Sequence, residues 1–157
     1  MSGSSVRDGA SRDAPSTGGV TPEASEAGAG DGRESSGRRA VRVVPKPWGH
    51  ETIWAHTDRY VGKILHIRAG EALSVQYHES KDETVHLLRG ELLYRVERDG
   101  ELRDVHLREG ESFRIVPGTV HQMEAVTDCD VLEASTPELD DVVRLTDRYG
   151  REGTNAP

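Results

Sequence analysis

The sequence predicts an all-β domain over residues 41–151, preceded by a disordered tail. From Val41 onward the chain consists of short β-branched runs separated by Gly, Asp and Pro, and no stretch shows sustained helical periodicity. Asp99-Gly100, between "LLYRVER" and "ELRDVHL", is a strong signal for a two-residue hairpin turn. Many short strands at this spacing indicate an antiparallel sandwich or barrel.

Residues 1–40 have the composition of a disordered segment. They hold eight glycines and eight serines but no aromatic residue, and their large apolar residues are Met1, Val6 and Val20. Such a segment cannot bury enough apolar surface to offset the entropy that is lost on ordering. It also lacks the apolar run of a signal peptide. We expect residues 1–40 to be a solubilising extension or, alternatively, a tail that recruits a partner. At the other end, we expect a flexible carboxyl terminus over residues 152–157.

The predicted strands are separated by residues that suit tight turns. Arg89-Gly90, Asp99-Gly100 and Glu109-Gly110 each supply a glycine that tolerates positive φ. The strands between these and similar turns are predicted at 41–44, 51–54, 60–67, 72–77, 84–89, 91–98, 101–107, 112–116, 121–125 and 130–135.

Charge and cysteine content exclude several classes of function. Of the net charge of −8, all but −1 belongs to residues 41–157, and such an acidic domain argues against a general nucleic-acid binder. No apolar run approaches membrane-spanning length. The single cysteine, Cys129, can form neither an intramolecular disulfide nor a thiolate zinc cluster. We therefore expect a cytoplasmic protein with no nucleic-acid or membrane partner.

The stretch "SVQYHESKDETVHLL", residues 74–88, places polar side chains where a half-buried strand should be apolar. Strand alternation puts Ser74, Gln76 and His78 on one face. After a loop over residues 79–82, Glu83 begins the next strand and lies opposite His78. A buried carboxylate is costly unless it finds a cation, and imidazole and carboxylate are ligands for zinc, iron or manganese. The alternative is a solvated face with a surface ion pair, and these residues alone do not separate the two.

A second stretch, "GESFRIVPGTVHQ", residues 110–122, contains a turn, a strand, a Pro-Gly turn and then His121. A lone histidine at the start of a strand is more often a core or edge residue than a ligand. Taken together, however, the two stretches resemble the two motifs of the cupin superfamily. The matching residues are Gly70, Gln76, His78, Glu83 and Gly90 in the first motif and Gly110, Pro117 and His121 in the second.

The cupin resemblance implies a jelly-roll β-barrel with one divalent metal ion. The ligands that it implies are Gln76, His78, Glu83 and His121. Zinc is the first expectation for the ion, with manganese, iron, cobalt or nickel as alternatives, because a mixed nitrogen and oxygen set accepts several metals. Since cupins often pair through their sheets, the resemblance also implies a homodimer.

More of the chain resembles a subgroup, the phosphomannose-isomerase-like cupins (mannose-6-phosphate isomerase type II-like). This resemblance is carried by the Gln-x-His pattern, by "KPWGHE" (46–51), by "RYVGKILHIRAGEALSVQYH" (59–78) and by "DDVVRLTDRYGR" (140–151). The metal loop departs from the subgroup, because Ser80 and Lys81 replace a histidine and an arginine, and Thr84-Val85 replaces His-Trp. In that subgroup the domain is often fused to a sugar nucleotidyltransferase, a domain that we do not expect within residues 1–157.

The subgroup resemblance implies aldose–ketose isomerisation of a sugar phosphate such as mannose 6-phosphate. This reaction needs a metal, a group that moves a proton between adjacent carbons, and cations for the phosphate. Lys63 is the candidate catalytic residue, and Lys63 and Arg144 are the candidate phosphate ligands. For Lys63 the alternative is a surface lysine on an edge strand. No general base stands out.

The alternation of side chains along the strands also excludes two histidines from the predicted site. His66 and His86 are out of phase with Lys63 and Glu83 and should point away from the metal. Lys81, with Glu79 and Asp82, is expected to be a solvent contact of the loop.

Two alternative functions remain open at this level. The first is another small metal cupin enzyme, such as a dioxygenase, decarboxylase, cyclase or epimerase. The second is a metal-stabilised carbohydrate-binding or regulatory module without catalysis. A filled coordination sphere and no convergent cations would indicate such a module, whereas a sugar-phosphate enzyme needs Lys63 and Arg144 to reach the metal cavity.

Overall fold

The computed structural model describes residues 36–154, which form twelve strands. Within these residues no helix forms, and so none could span a membrane. The predicted disordered tail lies largely, and the predicted flexible carboxyl terminus partly, outside the described residues. The strands are β1 (Arg42–Lys46), β2 (Gly49–His56), β3 (Val61–Ile67), β4 (Val75–Tyr77), β5 (Glu83–Arg89), β6 (Glu91–Arg98), β7 (Glu101–Arg108), β8 (Ser112–Ile115), β9 (His121–Ala125), β10 (Cys129–Ser135), β11 (Val143–Thr146) and β12 (Gly153–Thr154).

The strands form two antiparallel sheets of six strands each. The first sheet has the order β1-β2-β3-β10-β5-β8, and the second has the order β12-β11-β4-β9-β6-β7. Strands that follow each other in the chain repeatedly lie in different sheets, which is consistent with a cupin jelly roll. The all-β prediction is confirmed.

The prediction of a jelly-roll β-barrel holds for the jelly roll, but the two sheets are not closed into a barrel. Among the described residues no backbone ladder joins an edge strand of one sheet to an edge strand of the other. Two of the edge strands are short, since β8 has four residues and β12 has two, and they offer few backbone groups for closure. The domain is therefore a sandwich of two separate sheets.

The hairpin between β6 and β7 confirms the strongest local prediction. Asp99 has a φ of 55° and Gly100 a φ of 80°, so both central residues are in the left-handed region. This is the backbone of a type I′ turn, whose twist matches that of the paired strands. Strands β11 and β12 have no counterpart among the predicted strands.

The core lies between the two sheets and is formed by the inward residues of both. Trp48 is buried in it, whereas Trp54 is 44% exposed and covers the backbone of Gly62 on the outer face. Cys129 is also buried, with its Sγ 3.1 Å from the carbonyl oxygen of Glu91, and burial raises the pKa of this thiol to about 11. Cys129 is therefore a packing residue of the core.

Candidate metal centre

Three buried side chains converge between the sheets, namely His78, Glu83 and His121. His78 follows β4 directly, Glu83 begins β5 and His121 begins β9. The Nε2 atom of His78 lies 3.5 Å from Oε2 of Glu83, and Nε2 of His121 lies 3.4 Å from Oε1. One ligand atom from each residue falls within 4.8 Å of the others, which is compact enough for one metal ion to contact all three.

The hydrogen bonds of the two imidazoles leave the same nitrogen of each ring facing the centre. Nδ1 of His121 donates to the carbonyl oxygen of Thr119 over 2.9 Å, and Nδ1 of His78 donates to the carbonyl oxygen of Asp141. A carbonyl only accepts, so each neutral ring carries its proton on Nδ1 and presents a lone pair at Nε2. Within residues 36–154 neither Nε2 atom nor Oε1 of Glu83 has a hydrogen-bond partner. These residues fit a divalent metal ion.

Gln76 lies beside this cluster, on β4. It is the pairing partner of His121 across β4 and β9, it is half-buried, and it lines the cavity described below. Its amide oxygen accepts a hydrogen bond from the hydroxyl of Ser74 over 2.7 Å. Its position is compatible with the predicted fourth ligand, and that role stays a prediction.

The loop between His78 and Glu83 is held by a single carboxylate, that of Asp141. The backbone N–H groups of Glu79, Ser80 and Lys81 donate to it over 2.8, 2.6 and 2.8 Å. Burial raises the pKa of Asp141, but these three N–H groups lower it more, and the net pKa lies below its usual value. Asp141 therefore orients the loop with its side chain and His78 with its backbone carbonyl.

Lys81 corrects one prediction, because it is not a solvent contact. Its side chain is 4% exposed, and its Nζ lies 2.5 Å from Oε2 of Glu83 and 2.8 Å from Oε1 of Glu133 on β10. Of its predicted solvent-exposed neighbours, Glu79 is exposed and Asp82 forms a bidentate pair with Arg114. Lys81 is buried because the bonds to Asp141 fold the loop inward.

Lys63 belongs to the same network. It is 6% exposed on β3, an interior strand of the first sheet, so the alternative of a surface lysine on an edge strand is wrong. Its Nζ lies 3.3 Å from Oε1 of Glu133. A chain of alternating buried charges, the four-charge network, therefore runs from Lys63 through Glu133 and Lys81 to Glu83.

The two carboxylates of the four-charge network, and Lys81 between them, keep their charges despite burial. Burial raises the pKa of Glu83, but the ammonium of Lys81 and the nearby imidazoles of His121 and His78 hold the net pKa well below the ordinary value. Burial lowers the pKa of Lys81, but Glu133 and Glu83 raise it above that of a free lysine. The pKa of Glu133 is likewise lowered, since Lys81 and Lys63 outweigh burial. Both carboxylates are thus anionic at neutral pH.

Sequence reasoning missed Glu133, although a signal was present. In β10 the residues Cys129 and Val131 are buried, and alternation places Glu133 on the same inward face. An acidic residue on the inward face of a strand requires a buried cation.

A cavity of about 400 Å³ opens beside the cluster between the sheets. Gln76, His78 and Glu83 line it, together with Lys63 from β3 and Arg144 from β11. His66 and His86 point away, as alternation predicted, and instead bind Asp130 and Ser112.

The guanidinium of Arg144 forms no salt bridge with any residue of the described range. Burial lowers its pKa, and the charge of the neighbouring Arg151 lowers it further. Arg151 itself is held in a bidentate pair by Asp147. Arg144 is therefore a cation at the cavity wall whose charge is not neutralised by a contacting carboxylate of the described chain.

The central part of the described chain is similar to a known domain family. Residues 63–134 match the family model described as the cupin domain. This match indicates a cupin domain over residues 63–134. The matched cupin range includes Gln76, His78, Glu83 and His121.

The cupin domain is also related to longer curated proteins. Over 126 residues, 77% of this chain, it is 36% identical to a mannose-1-phosphate guanylyltransferase of Escherichia coli (strain K12). The chain spans about a quarter of the length of the curated relatives that it matches.

Solved structures support the same fold at lower identity. KdgF from Halomonas sp. has a TM-score of 0.52 and 23% identity, over 63% of this chain and 88% of that one. Oxalate decarboxylase from Bacillus subtilis has a TM-score of 0.60 and 10% identity, over 75% of this chain and 35% of that one. At these identities the likeness concerns the fold alone.

Proposed function

We propose that this cupin is a metal-dependent aldose–ketose isomerase of a sugar phosphate, with mannose 6-phosphate as the first candidate substrate. The observation that carries the proposal is the cluster of His78, Glu83 and His121, because two of its members, His78 and Glu83, line a cavity. Lys63 and the unneutralised Arg144 line the same cavity. The resemblance to phosphomannose-isomerase-like cupins and a relative named for mannose 1-phosphate support the sugar class. On the same resemblance we propose a cytoplasmic homodimer.

The centre would be held by His78, Glu83 and His121, with Gln76 as the proposed fourth ligand. When bound, a divalent ion would polarise the sugar carbonyl and stabilise the negative charge that develops on its oxygen. The donor set suits zinc first, and manganese, iron, cobalt or nickel as alternatives. The three side chains of the cluster are buried, so their ligand atoms are shielded from bulk water.

The charge of the cavity favours an anionic substrate. Its lining includes four acidic side chains, Glu51, Glu83, Glu133 and Asp140. It also includes six basic side chains, Arg42, Lys46, Lys63, Lys81, Arg144 and Arg151. A bound metal ion would add to this positive surplus. We assign the phosphate to Arg144, because a guanidinium binds phosphate in a bidentate manner and Arg144 has no competing salt bridge in the described chain.

Lys63 and Glu133 are the groups that we assign to proton transfer. Their Nζ and Oε1 atoms are 3.3 Å apart, both residues line the cavity, and neither belongs to the metal cluster. A carboxylate beside an ammonium can take a proton from one carbon while the ammonium donates to the neighbouring oxygen. Because Glu133 already contacts Lys63, this lysine is better suited to a catalytic role than to holding the phosphate.

The proposal is tested by metal analysis and a coupled assay with mannose 6-phosphate in the presence of zinc, manganese, iron, cobalt or nickel. We expect turnover with at least one ion. We also expect Arg144→Gln to raise KM for the phosphorylated sugar at least about tenfold, because a charge-assisted contact to phosphate is lost.

Arg98→Gln is the matched control, since Arg98 is exposed at the β6–β7 hairpin and does not line the cavity. Its KM should equal that of the wild type. A metal-loaded protein that turns over mannose 6-phosphate with none of the five ions would exclude this substrate and favour one of the other cupin activities.

A further inference from the structure

We infer that Lys81 is a positioning residue of the metal centre that restricts Glu83 to a single ligand oxygen; the inference rests on the metal-binding function proposed above. The ammonium of Lys81 lies 2.5 Å from Oε2 of Glu83, whereas Oε1 has no hydrogen-bond partner in the described chain. With Oε2 engaged by Lys81, Oε1 is the atom that remains for the ion.

Lys81 is held firmly enough to act in this way. Its backbone N–H donates to the carboxylate of Asp141, and its Nζ also lies 2.8 Å from Oε1 of Glu133. Glu133 is in turn held by Lys63 over 3.3 Å. This ammonium is 4% exposed and cannot turn to solvent without leaving the buried carboxylate of Glu83 unpaired and Glu133 with Lys63 alone.

The same contacts keep a second carboxylate away from the ion. Oε1 of Glu133 lies 2.8 Å from Nζ of Lys81, so the ammonium separates Glu133 from Glu83. Lys81 also places a positive charge beside the centre, and that charge opposes the binding of a dication. Lys81 therefore leaves coordination positions open toward the cavity and makes the ion bind less tightly than the donor set would allow.

Metal affinity and coordination number distinguish a positioning role of Lys81 from a purely structural role. If Lys81 only stabilised the fold, its removal would weaken metal binding. If it restricts Glu83, its removal should let Glu83 bind with both oxygens, which raises the coordination number and tightens binding.

The test compares two double variants, each of which removes one cation and one anion from the four-charge network. Lys81→Met with Glu133→Gln removes the ammonium on Glu83, whereas Lys63→Met with Glu133→Gln leaves it there. Each loses one cation and one anion, so the buried charge stays balanced. Cobalt(II) is titrated into each metal-free protein, with its visible d–d absorption and its Kd as readouts.

We expect the Lys81 double variant to show weaker d–d absorption, as a higher coordination number requires, and a Kd at least about tenfold lower than that of the wild type. The Lys63 double variant should keep the wild-type spectrum and Kd. A folded Lys81 double variant with the wild-type spectrum, or with weaker binding, would overturn the inference. If the Lys81 double variant does not fold, the single variant Lys81→Gln is measured instead, and the same changes in d–d absorption and in Kd are expected. Wild-type protein that binds no cobalt would instead overturn the metal centre itself.

Discussion

Replacing His121 by alanine should lower the affinity for the divalent ion at least about a hundredfold, because the centre loses one of its two imidazoles. The Nε2 atom of His121 faces Glu83 and has no hydrogen-bond partner in the described chain, so this nitrogen is available to a metal ion. The measurement is metal content after dialysis, followed by calorimetric titration of the metal-free protein.

The variant also loses packing, since the ring of His121 is buried and stacks on Tyr94. A cost of about 2 to 3 kcal/mol in the free energy of unfolding is expected for the metal-free protein. Metal affinity is therefore measured below the unfolding transition. His86→Ala is the matched control, because His86 lies on the outward face of β5 and contacts Ser112. A His121 variant that binds one ion as tightly as this control would show that His121 is not a ligand.

Replacing Asp141 by alanine should have the second-largest effect, although this side chain does not face the metal cluster. The substitution removes the acceptor of the three backbone N–H groups of the loop between His78 and Glu83. We expect a loss of about 3 kcal/mol in the free energy of unfolding, since hydrogen bonds to charged groups are individually worth about 1.5–3 kcal/mol and are not additive. Metal affinity should fall about tenfold or more, because the loop positions the two ligands at its ends, His78 and Glu83.

Denaturant unfolding of the metal-free protein and titration with cobalt(II) measure the two effects. Glu138→Ala is the control, because Glu138 is an exposed residue of the same segment and no side-chain contact to the loop is seen in the described chain. An Asp141 variant with the same free energy of unfolding and the same metal affinity as this control would contradict the orienting role of Asp141.

The sequence predicted the parts of the fold that depend on local pattern. Strand alternation and the glycine turns anticipate β1 to β10, because inward and outward residues alternate along each strand. Strand β11 was missed because it depends on a distant partner: Arg144 pairs with Gln76 of β4. The jelly-roll β-barrel was predicted from resemblance, and the edge strands do not form the ladders that closure of a barrel needs.

The candidate site likewise contains residues that the sequence pattern predicts and residues that only the tertiary structure places. His78, Glu83 and His121 were predicted together because alternation and motif spacing agree, and the structure brings them together. The burial of Lys81 could not be predicted from its neighbours, since its backbone is held by Asp141, 60 residues away in the chain. Glu133 was predictable in principle from alternation, but its two lysine partners come from β3 and from the loop, and only the tertiary structure places them beside it.

The separation of the two sheets gives the ion a mechanical role. His78 and His121 extend from the second sheet, at β4 and β9, whereas Glu83 extends from the first, at β5. A single bound ion would thus cross-link two layers that share no backbone ladder within residues 36–154. The spacing of the layers, and with it the width of the cavity between them, would be set by ligand-to-metal distances, so a change of metal would alter the dimensions of the space that receives the substrate.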